Sequence, residues 1–203
     1  MKINTVIFDL GGVLIDWNPR YLYRKIFQTE EEIDWFLKNI CTSEWNDQQD
    51  AGRTFAEATA ELVAKFPEHE LPIRAWYDRW QETIQGSIAG TVEILRVIKN
   101  SGKFRLYALT NWSAESFPWA KENFEFLNWF EGIAVSGVEK TRKPFPEFYR
   151  LLLDRYQINP SQAVFIDDSH RNILGGEAVG IKGIHFQSPE QLRLDLNRHG
   201  VVI

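Results

Sequence analysis

Several short apolar runs in this chain stop at residues able to do chemistry. Thr5-Val6-Ile7-Phe8 stops at Asp9, followed by Leu10, Gly11 and Gly12. The run Arg105-Leu106-Tyr107-Ala108-Leu109 stops at Thr110-Asn111, and Gly132-Ile133-Ala134-Val135 stops at Ser136-Gly137. Ala163-Val164-Phe165-Ile166 stops at Asp167-Asp168, and Lys143 lies in the loop Lys140-Thr141-Arg142-Lys143-Pro144. If the runs are neighbouring strands, the carboxylates of Asp9, Asp167 and Asp168, the Thr110 hydroxyl and the Lys143 ammonium meet in one pocket. Three carboxylates that close together repel one another, so they take up protons or hold a cation. An all-oxygen donor set suits a hard ion such as Mg²⁺, which takes one or two carboxylates together with waters and phosphate oxygens.

The elements that must position these residues follow from the same pattern. Each run is continuously apolar rather than alternating, as in strands buried on both faces of a parallel sheet. Gly183-Ile184-His185-Phe186 completes the series. Helical spacing lies between the runs: Val92, Leu95 and Ile98 before a stop at Gly102, then Phe148, Leu151 and Leu152 within 146–156. A further helix over 169–179 carries Gly175, Gly176 and Ala178, small enough to lie close on a sheet. The alternation predicts an α/β fold with a doubly wound parallel sheet. Such folds bind ligands beyond the carboxyl ends of the strands, where the strand order reverses.

Residues 17–86 break the alternation. Thr29 with Glu32 makes a capping box ahead of Ile33, Phe36, Leu37 and Ile40. Phe55, Ala58, Leu62 and Phe66 repeat at helical spacing, and Pro72 can open another helix. No strand is expected here. The expected organisation is an α/β core of residues 1–16 and 87–203 and an α-helical cap of residues 17–86. Trp17, Trp35, Trp45, Trp76 and Trp80 all fall in the cap, where they either pack helix against helix or line a cleft. The polar stretch 45–53 lacks a clear helical period. It is read as a loop facing the pocket, with Trp45, Asp50 and Arg53 as candidate substrate contacts.

A length of 203 residues suits one domain, or one domain with an inserted module. Lys and Arg number 23 against 28 Asp and Glu, a net charge of −5, which disfavours a nucleic-acid or anionic-membrane partner. No apolar run approaches the ~18–20 residues needed to span a bilayer. The N-terminus lacks the pattern of a secretory leader. Cys41 is the single cysteine, so no intrachain disulfide can form and a reducing compartment is favoured. A soluble, cytoplasmic protein acting on a small molecule is expected. The aromatic content permits a dimer face without locating one, so monomer and homodimer both stay open.

Four of these segments, in order, resemble the motifs of the haloacid dehalogenase-like (HAD) hydrolase superfamily, in the branch with a helical cap inserted after the first strand. The matching residues are Val6-Ile7-Phe8-Asp9-Leu10-Gly11-Gly12-Val13-Leu14, Leu109-Thr110-Asn111, Lys143-Pro144, and Phe165-Ile166-Asp167-Asp168-Ser169 with Asn172. The resemblance covers nearly the whole chain, with the cap the most divergent part. It implies a Rossmann-like core and a Mg²⁺-dependent hydrolase, first of all a phosphatase of a small phosphorylated metabolite working through an aspartyl-phosphate. On that resemblance Asp9 is the nucleophile. Leu10 and Gly11 offer main-chain groups, an amide toward the phosphate and the Gly11 carbonyl toward Mg²⁺. Thr110 and the Asn111 amide hydrogen-bond phosphoryl oxygens. Lys143 neutralises charge on the nucleophile and in the transition state. Asp168 ligates the metal directly, Asp167 binds it through water or orients Lys143, and Asn172 supports them. Lys140 and Arg142 are expected to be solvated, and His170 to be an exposed loop residue.

One position departs from the pattern. Phosphatases of this superfamily usually carry a second Asp two residues after the nucleophile, as the acid that protonates the leaving oxygen. Gly11 stands there instead. General acid catalysis is commonly worth ~10²–10⁴-fold. Either another group gives the proton, Asp16 and His170 being the nearest candidates, or the leaving group is good without it, as in a sugar 1-phosphate, an acyl phosphate or an aryl phosphate. The departure leaves two further readings open. One is a hydrolytic dehalogenase that uses Asp9 on carbon, since halide leaves without a proton. The other is a catalytically slow protein that binds a phospho-ligand. Against the dehalogenase, metal-independent haloacid dehalogenases resemble this pattern with an aromatic residue at the Gly11 position and without the Asp167–Asp168 pair.

Overall fold

Side chains alternate faces along a strand, so a continuously apolar strand needs a hydrophobic layer on each side. The computed structural model, which describes residues 2–202, provides both. Its strands are β1 (Thr5–Phe8), β2 (Ile15–Trp17), β3 (Ile84–Ser87), β4 (Arg105–Thr110), β5 (Gly132–Val135), β6 (Ala163–Asp167) and β7 (Lys182–His185). Five of them form one sheet in the order β5-β4-β1-β6-β7, with every pairing parallel. Val6 and Phe8 face one hydrophobic cluster together with Leu106, Ala108, Val164 and Ile166. Ile7 faces the other, with Tyr107, Leu109, Ala163 and Phe165. The chain runs from β1 outward through β4 to β5, then returns to the other side of β1 for β6 and β7. The order therefore reverses beside β1, and Asp9 stands just past its carboxyl end.

Between β2 and β3 lie the helices α1 (Arg20–Tyr23), α2 (Glu30–Asn39), α3 (Ser43–Gln49), α4 (Phe55–Lys65) and α5 (Glu70–Asp78). They bury a third hydrophobic cluster of their own, which includes Tyr23, Phe36, Trp45, Leu62 and Trp76. The Thr29–Glu32 capping box forms, and a second one joins Thr54 to Glu57. Two expectations for this segment need correcting. First, β2 and β3 pair antiparallel as a two-stranded ribbon, so Trp17 and residues 84–86 are strand and not helical insertion. Only one face of the ribbon is covered, and Ile84-Gln85-Gly86-Ser87 lacks the apolar run that marks the central strands. Second, α3 is a helix and not a loop. The Thr42 hydroxyl accepts from the Trp45 amide at 3.2 Å and caps its first turn. Its inward residues are Trp45, Asp47 and Gln49, so two of the three are polar and no apolar period results.

The remaining helices cover the sheet: α6 (Ala89–Ser101), α7 (Phe117–Asn123), α8 (Ser136–Glu139), α9 (Pro146–Tyr156), α10 (His170–Ala178) and α11 (Pro189–Arg198). Helices α6, α7 and α11 bury Leu95, Phe117 and Leu192 in the cluster on one face. Helices α9 and α10 bury Phe148, Tyr149 and Ile173 in the cluster on the other. Among the described residues, no helix is long and apolar enough to cross a membrane.

Phe165 ties this packing to the site. It is fully buried on β6, meets Tyr149 edge-on at 5.6 Å and lies 5.5 Å from the Lys143 ammonium. Phe165→Ala should lower the unfolding free energy by about 3–5 kcal/mol, as measured by urea denaturation. A loss below about 1 kcal/mol would mean that this face of the sheet is not close-packed.

Candidate active site

Asp9 is held by its neighbours on the sheet and in its own loop. Its amide donates to the Ile166 carbonyl at 2.8 Å, and its Oδ1 accepts from the Leu10 amide at 2.7 Å. The Leu10 amide, expected to face a phosphate, is thus engaged by the carboxylate itself. Lys143 Nζ lies 2.7 Å from Asp9 Oδ2 and 2.7 Å from Asp167 Oδ2, with no exposed surface. Asp167 is buried as completely, and its Oδ1 accepts from the Ser169 amide at 2.8 Å and from Asn172 Nδ2 at 3.0 Å. Asn111 fixes the lysine loop. Its Oδ1 accepts from the Lys143 amide at 2.9 Å and its Nδ2 donates to the Lys143 carbonyl at 3.1 Å. That leaves the Asn111 main-chain amide, not its side chain, to meet a ligand. The Thr110 hydroxyl is buried and has no hydrogen-bond partner in the protein. Ser136 and Gly137 serve the neighbouring loop: Ser136 Oγ accepts from the Trp112 amide at 2.9 Å, and the Gly137 amide donates to the Trp112 carbonyl at 3.0 Å.

The electrostatics call for a cation. Asp9, Asp167 and Asp168 offer oxygens within 4.8 Å of one another, and the single buried ammonium offsets only one of the three charges. Burial pushes the Asp9 carboxyl well above the usual carboxylate range. Lys143 pulls it back, while Asp167 and Asp168 raise it further. Burial lowers the Lys143 ammonium, but Asp167 and Asp9 more than offset this and hold it above the ordinary lysine value. Asp168 is also raised, by desolvation and by Asp167, although its side chain reaches solvent. A divalent ion would relieve all three carboxylates. The donor set fits a hard one: Asp9, Asp168, the Gly11 carbonyl and, less directly because its oxygens are already engaged, Asp167. The short bridge between Gly11 and Ile15 uses the Gly12 amide and the Leu10 carbonyl, leaving Gly11's own carbonyl free. Gly12 lies at φ +72°, and a Cβ there would sit 2.3 Å from Asp168 Oδ2. Gly11 is unlike it: nothing lies within 4 Å of the Cβ it lacks, and its φ is not positive.

A cleft of about 490 Å³ opens above these groups. Asp9, Gly11, Asn111 and Asp168 line it from the sheet side, and Trp17, Asn46, Asp47, Asp50, Trp76, Tyr77 and Trp80 from the ribbon and the inserted helices. Asp50 is therefore at the cleft, as expected, but Trp45 and Arg53 are not. Trp45 is buried in the core of the inserted helices, where its Nε1 donates to the Ala58 carbonyl at 3.3 Å. Arg53 turns to Gln49 Oε1 at 2.8 Å and Glu61 Oε2 at 2.6 Å. Asp16 bonds the Tyr21 hydroxyl at 2.9 Å, and His170 is exposed at the start of α10, so neither candidate acid lines the cleft. Arg142 is not solvated. It pairs with Asp47 at 3.1 Å, and Arg171 reaches the same carboxylate at 3.3 Å, so two core residues grip α3. No local signal marks that trio, because each partner is distant in sequence.

A carboxylate beside a buried ammonium thus stands at the switch point of a doubly wound sheet, with the inserted helices lining the cleft above it. Comparison with known proteins gives the family. Residues 3–180 match the family described as haloacid dehalogenase-like hydrolase, and the chain belongs to that family, in the branch with helices inserted after the first strand. It is similar to the sesquiterpene phosphatase astK of Aspergillus oryzae, at 29% identity over 90% of this chain and 89% of the relative. It is also similar to the pyrophosphatase PpaX of Halalkalibacterium halodurans, at 25% identity over 90% and 82%. Among solved structures, the magnesium complex of a HAD family enzyme from Bacteroides thetaiotaomicron shares the fold. Its TM-score is 0.70 and its identity 24%, over 93% of this chain and 95% of that one.

The two glycines give a test of this loop. Gly12→Ala should cost more than ~1 kcal/mol of stability in denaturant titration, because both φ and the Asp168 carboxylate resist the methyl group. Gly11→Ala should stay within about 0.5 kcal/mol of the parent. Equal effects would show that Gly12 and Asp168 are not packed this closely.

Proposed function

We propose that the chain is a Mg²⁺-dependent phosphatase of a small phosphorylated metabolite, working through an aspartyl-phosphate. The observation that carries this reading is the Lys143 ammonium fixed between Asp9 and Asp167, with Asp168 beside them. It sets a nucleophilic carboxylate in a pocket built to accept more negative charge. The phosphatase names of the relatives support the same chemistry, and so does a further complex of the Bacteroides thetaiotaomicron enzyme, which is bound to magnesium and inorganic phosphate. The inserted segment, residues 17–86, would act as the cap that closes the cleft and excludes water.

When bound by Asp9, Asp168, the Gly11 carbonyl and Asp167, the metal ion supplies Lewis-acid neutralisation of phosphoryl charge. The protein's own groups do the rest. Asp9 presents the oxygen that attacks phosphorus, oriented by the Leu10 amide at Oδ1. Lys143 pulls Asp9 toward its ionised form, opposing burial and the neighbouring carboxylates, and then stabilises the charge that gathers on the phosphoryl oxygens. The unpartnered Thr110 hydroxyl and the Asn111 main-chain amide are available to receive two of those oxygens. Asn111's side chain positions Lys143, and Asn172 with the Ser169 amide positions Asp167. Gly11 brings no proton to the leaving oxygen. Substrates with acidic leaving groups, such as aryl, acyl or anomeric phosphates, are therefore favoured unless another acid serves.

Asp9→Asn should lower kcat on p-nitrophenyl phosphate by more than ~10³-fold with an unchanged circular dichroism spectrum. Near-parental turnover in the pure variant would remove Asp9 from its role. Chelation with EDTA should abolish hydrolysis, and added Mg²⁺ should restore it. Full activity in EDTA would turn the assignment toward metal-free hydrolysis at carbon, with chloride release from a 2-chloroacid as the direct check.

A further inference from the structure

We propose that Asp50, at the C-terminal end of α3 on the inserted helices, is the acid that protonates the leaving oxygen, a role that rests on the phosphatase reading above. Four carboxyl groups line the cleft: Asp9, Asp47, Asp50 and Asp168. Asp9 and Asp168 belong to the nucleophile and metal end. Asp47 is the shared counter-ion of Arg142 and Arg171 at 3.1 and 3.3 Å. Asp50 has no salt-bridge partner and, unlike Asp168, does not belong to the three-carboxylate cluster. Its Oδ2 accepts from Asn46 Nδ2 at 3.2 Å, an interaction that orients the carboxyl without requiring it to be ionised.

The other proton carriers at the cleft are unsuited. The Tyr77 hydroxyl is tied to Gln49 Nε2 at 2.6 Å and Asn46 Oδ1 at 3.3 Å, and burial raises it above the ordinary tyrosine value. Burial pushes the Cys41 thiol up to about 12, and the Arg171 guanidinium does not release a proton. No histidine lines the cleft among the described residues.

The surroundings of Asp50 suit an acid working near neutrality. Burial and then Asp47 push its carboxyl up to about 7, against the pull of Arg142 and Lys143. The charged and titratable groups facing it are Asp47 on its own helix, Tyr77 on α5, Arg142 and Lys143 in the loop before α9, and Arg171 on α10. Asp9 and Asp168 line the same cleft. Asp50 shares that cleft with Asp9 and feels the charge of Lys143, which holds Asp9, so a leaving group in that cleft would be within the acid's surroundings.

The proton balance closes. Asp9 forms a bond to phosphorus while the bond from phosphorus to the leaving oxygen breaks. That oxygen departs with the electron pair and takes the Asp50 proton. Water then attacks the aspartyl-phosphate, the Asp9 carboxylate leaves phosphorus, and one water proton returns to Asp50. The products are the alcohol and inorganic phosphate.

The experiment compares an alkyl phosphate with p-nitrophenyl phosphate, at saturating Mg²⁺ and across pH, in the parent, Asp50→Asn, and Asp50→Asn combined with Gly11→Asp. The parent rate on the alkyl ester should fall as pH rises through about 7, because the acid must be protonated to act. Asp50→Asn should lose about a hundredfold on the alkyl ester and at most several-fold on the aryl ester, and the fall at high pH should vanish. Gly11→Asp, placed where a side chain has room, should restore much of the alkyl rate. Equal losses on both esters, a retained high-pH fall, or no loss at all would overturn the role of Asp50 while leaving the phosphatase reading intact. A parent that hydrolyses neither ester would overturn that reading and this inference with it.

Discussion

The site depends on one buried contact, the Lys143 ammonium between Asp9 and Asp167. An ammonium with no exposed surface is tolerable only where fixed negative charge replaces its lost hydration. Each neighbouring feature serves that requirement. Asn111 grips the lysine's main chain from the end of β4, the Ser169 amide and Asn172 hold Asp167 at the end of β6, and the Leu10 amide holds Asp9 at the end of β1. Three adjacent parallel strands thus bring their loops to one point, and the strand order β4-β1-β6 gives that point its composition.

The same constraint leaves more fixed negative than positive charge at the ends of these strands. The carboxylates outnumber the ammonium, and burial first, then their mutual repulsion, raise the Asp9 and Asp168 carboxyl groups. Gly12 permits the close approach of Asp168, because any side chain there would occupy the position of its carboxylate. Gly11 lies one residue away in open space, so its lack of a side chain is a chemical difference and not a steric necessity.

The inserted helices join this centre through charge as well as packing. Asp47 on α3 pairs with Arg142, next to Lys143, and with Arg171, on the helix that follows Asp168. The Phe55 amide adds a 2.7 Å hydrogen bond to Glu115 on the core side. The helix α3 is therefore tied to the loops that carry Lys143 and Asp168, and it also brings Asp50 to the cleft. The ribbon of β2 and β3, one strand on each crossing, is the covalent link between core and insertion.

Much of the fold and the centre of the site were legible in the sequence because their signals are local. Continuous apolar runs announce strands buried on two faces, and Asp9, Thr110, Lys143, Asp167 and Asp168 are recognisable as residues that end or follow such runs. The Thr29 capping box needs only residues three apart. Other features have no local signature. The helix α3 has a cap but no apolar stripe, and β2 and β3 are too short and too exposed to resemble the central strands. Trp45 and Arg53 share a polar stretch with Asp50, yet only Asp50 reaches the cleft, because the turn of α3 sends Trp45 into the insertion's own core. Arg142 looks like any surface arginine until Asp47 is beside it, and Arg171 meets that same carboxylate across 124 positions of chain. Polar groups gain stability only from the partner that replaces their water, and that partner is set by the folded path of the chain and not by the neighbouring residues.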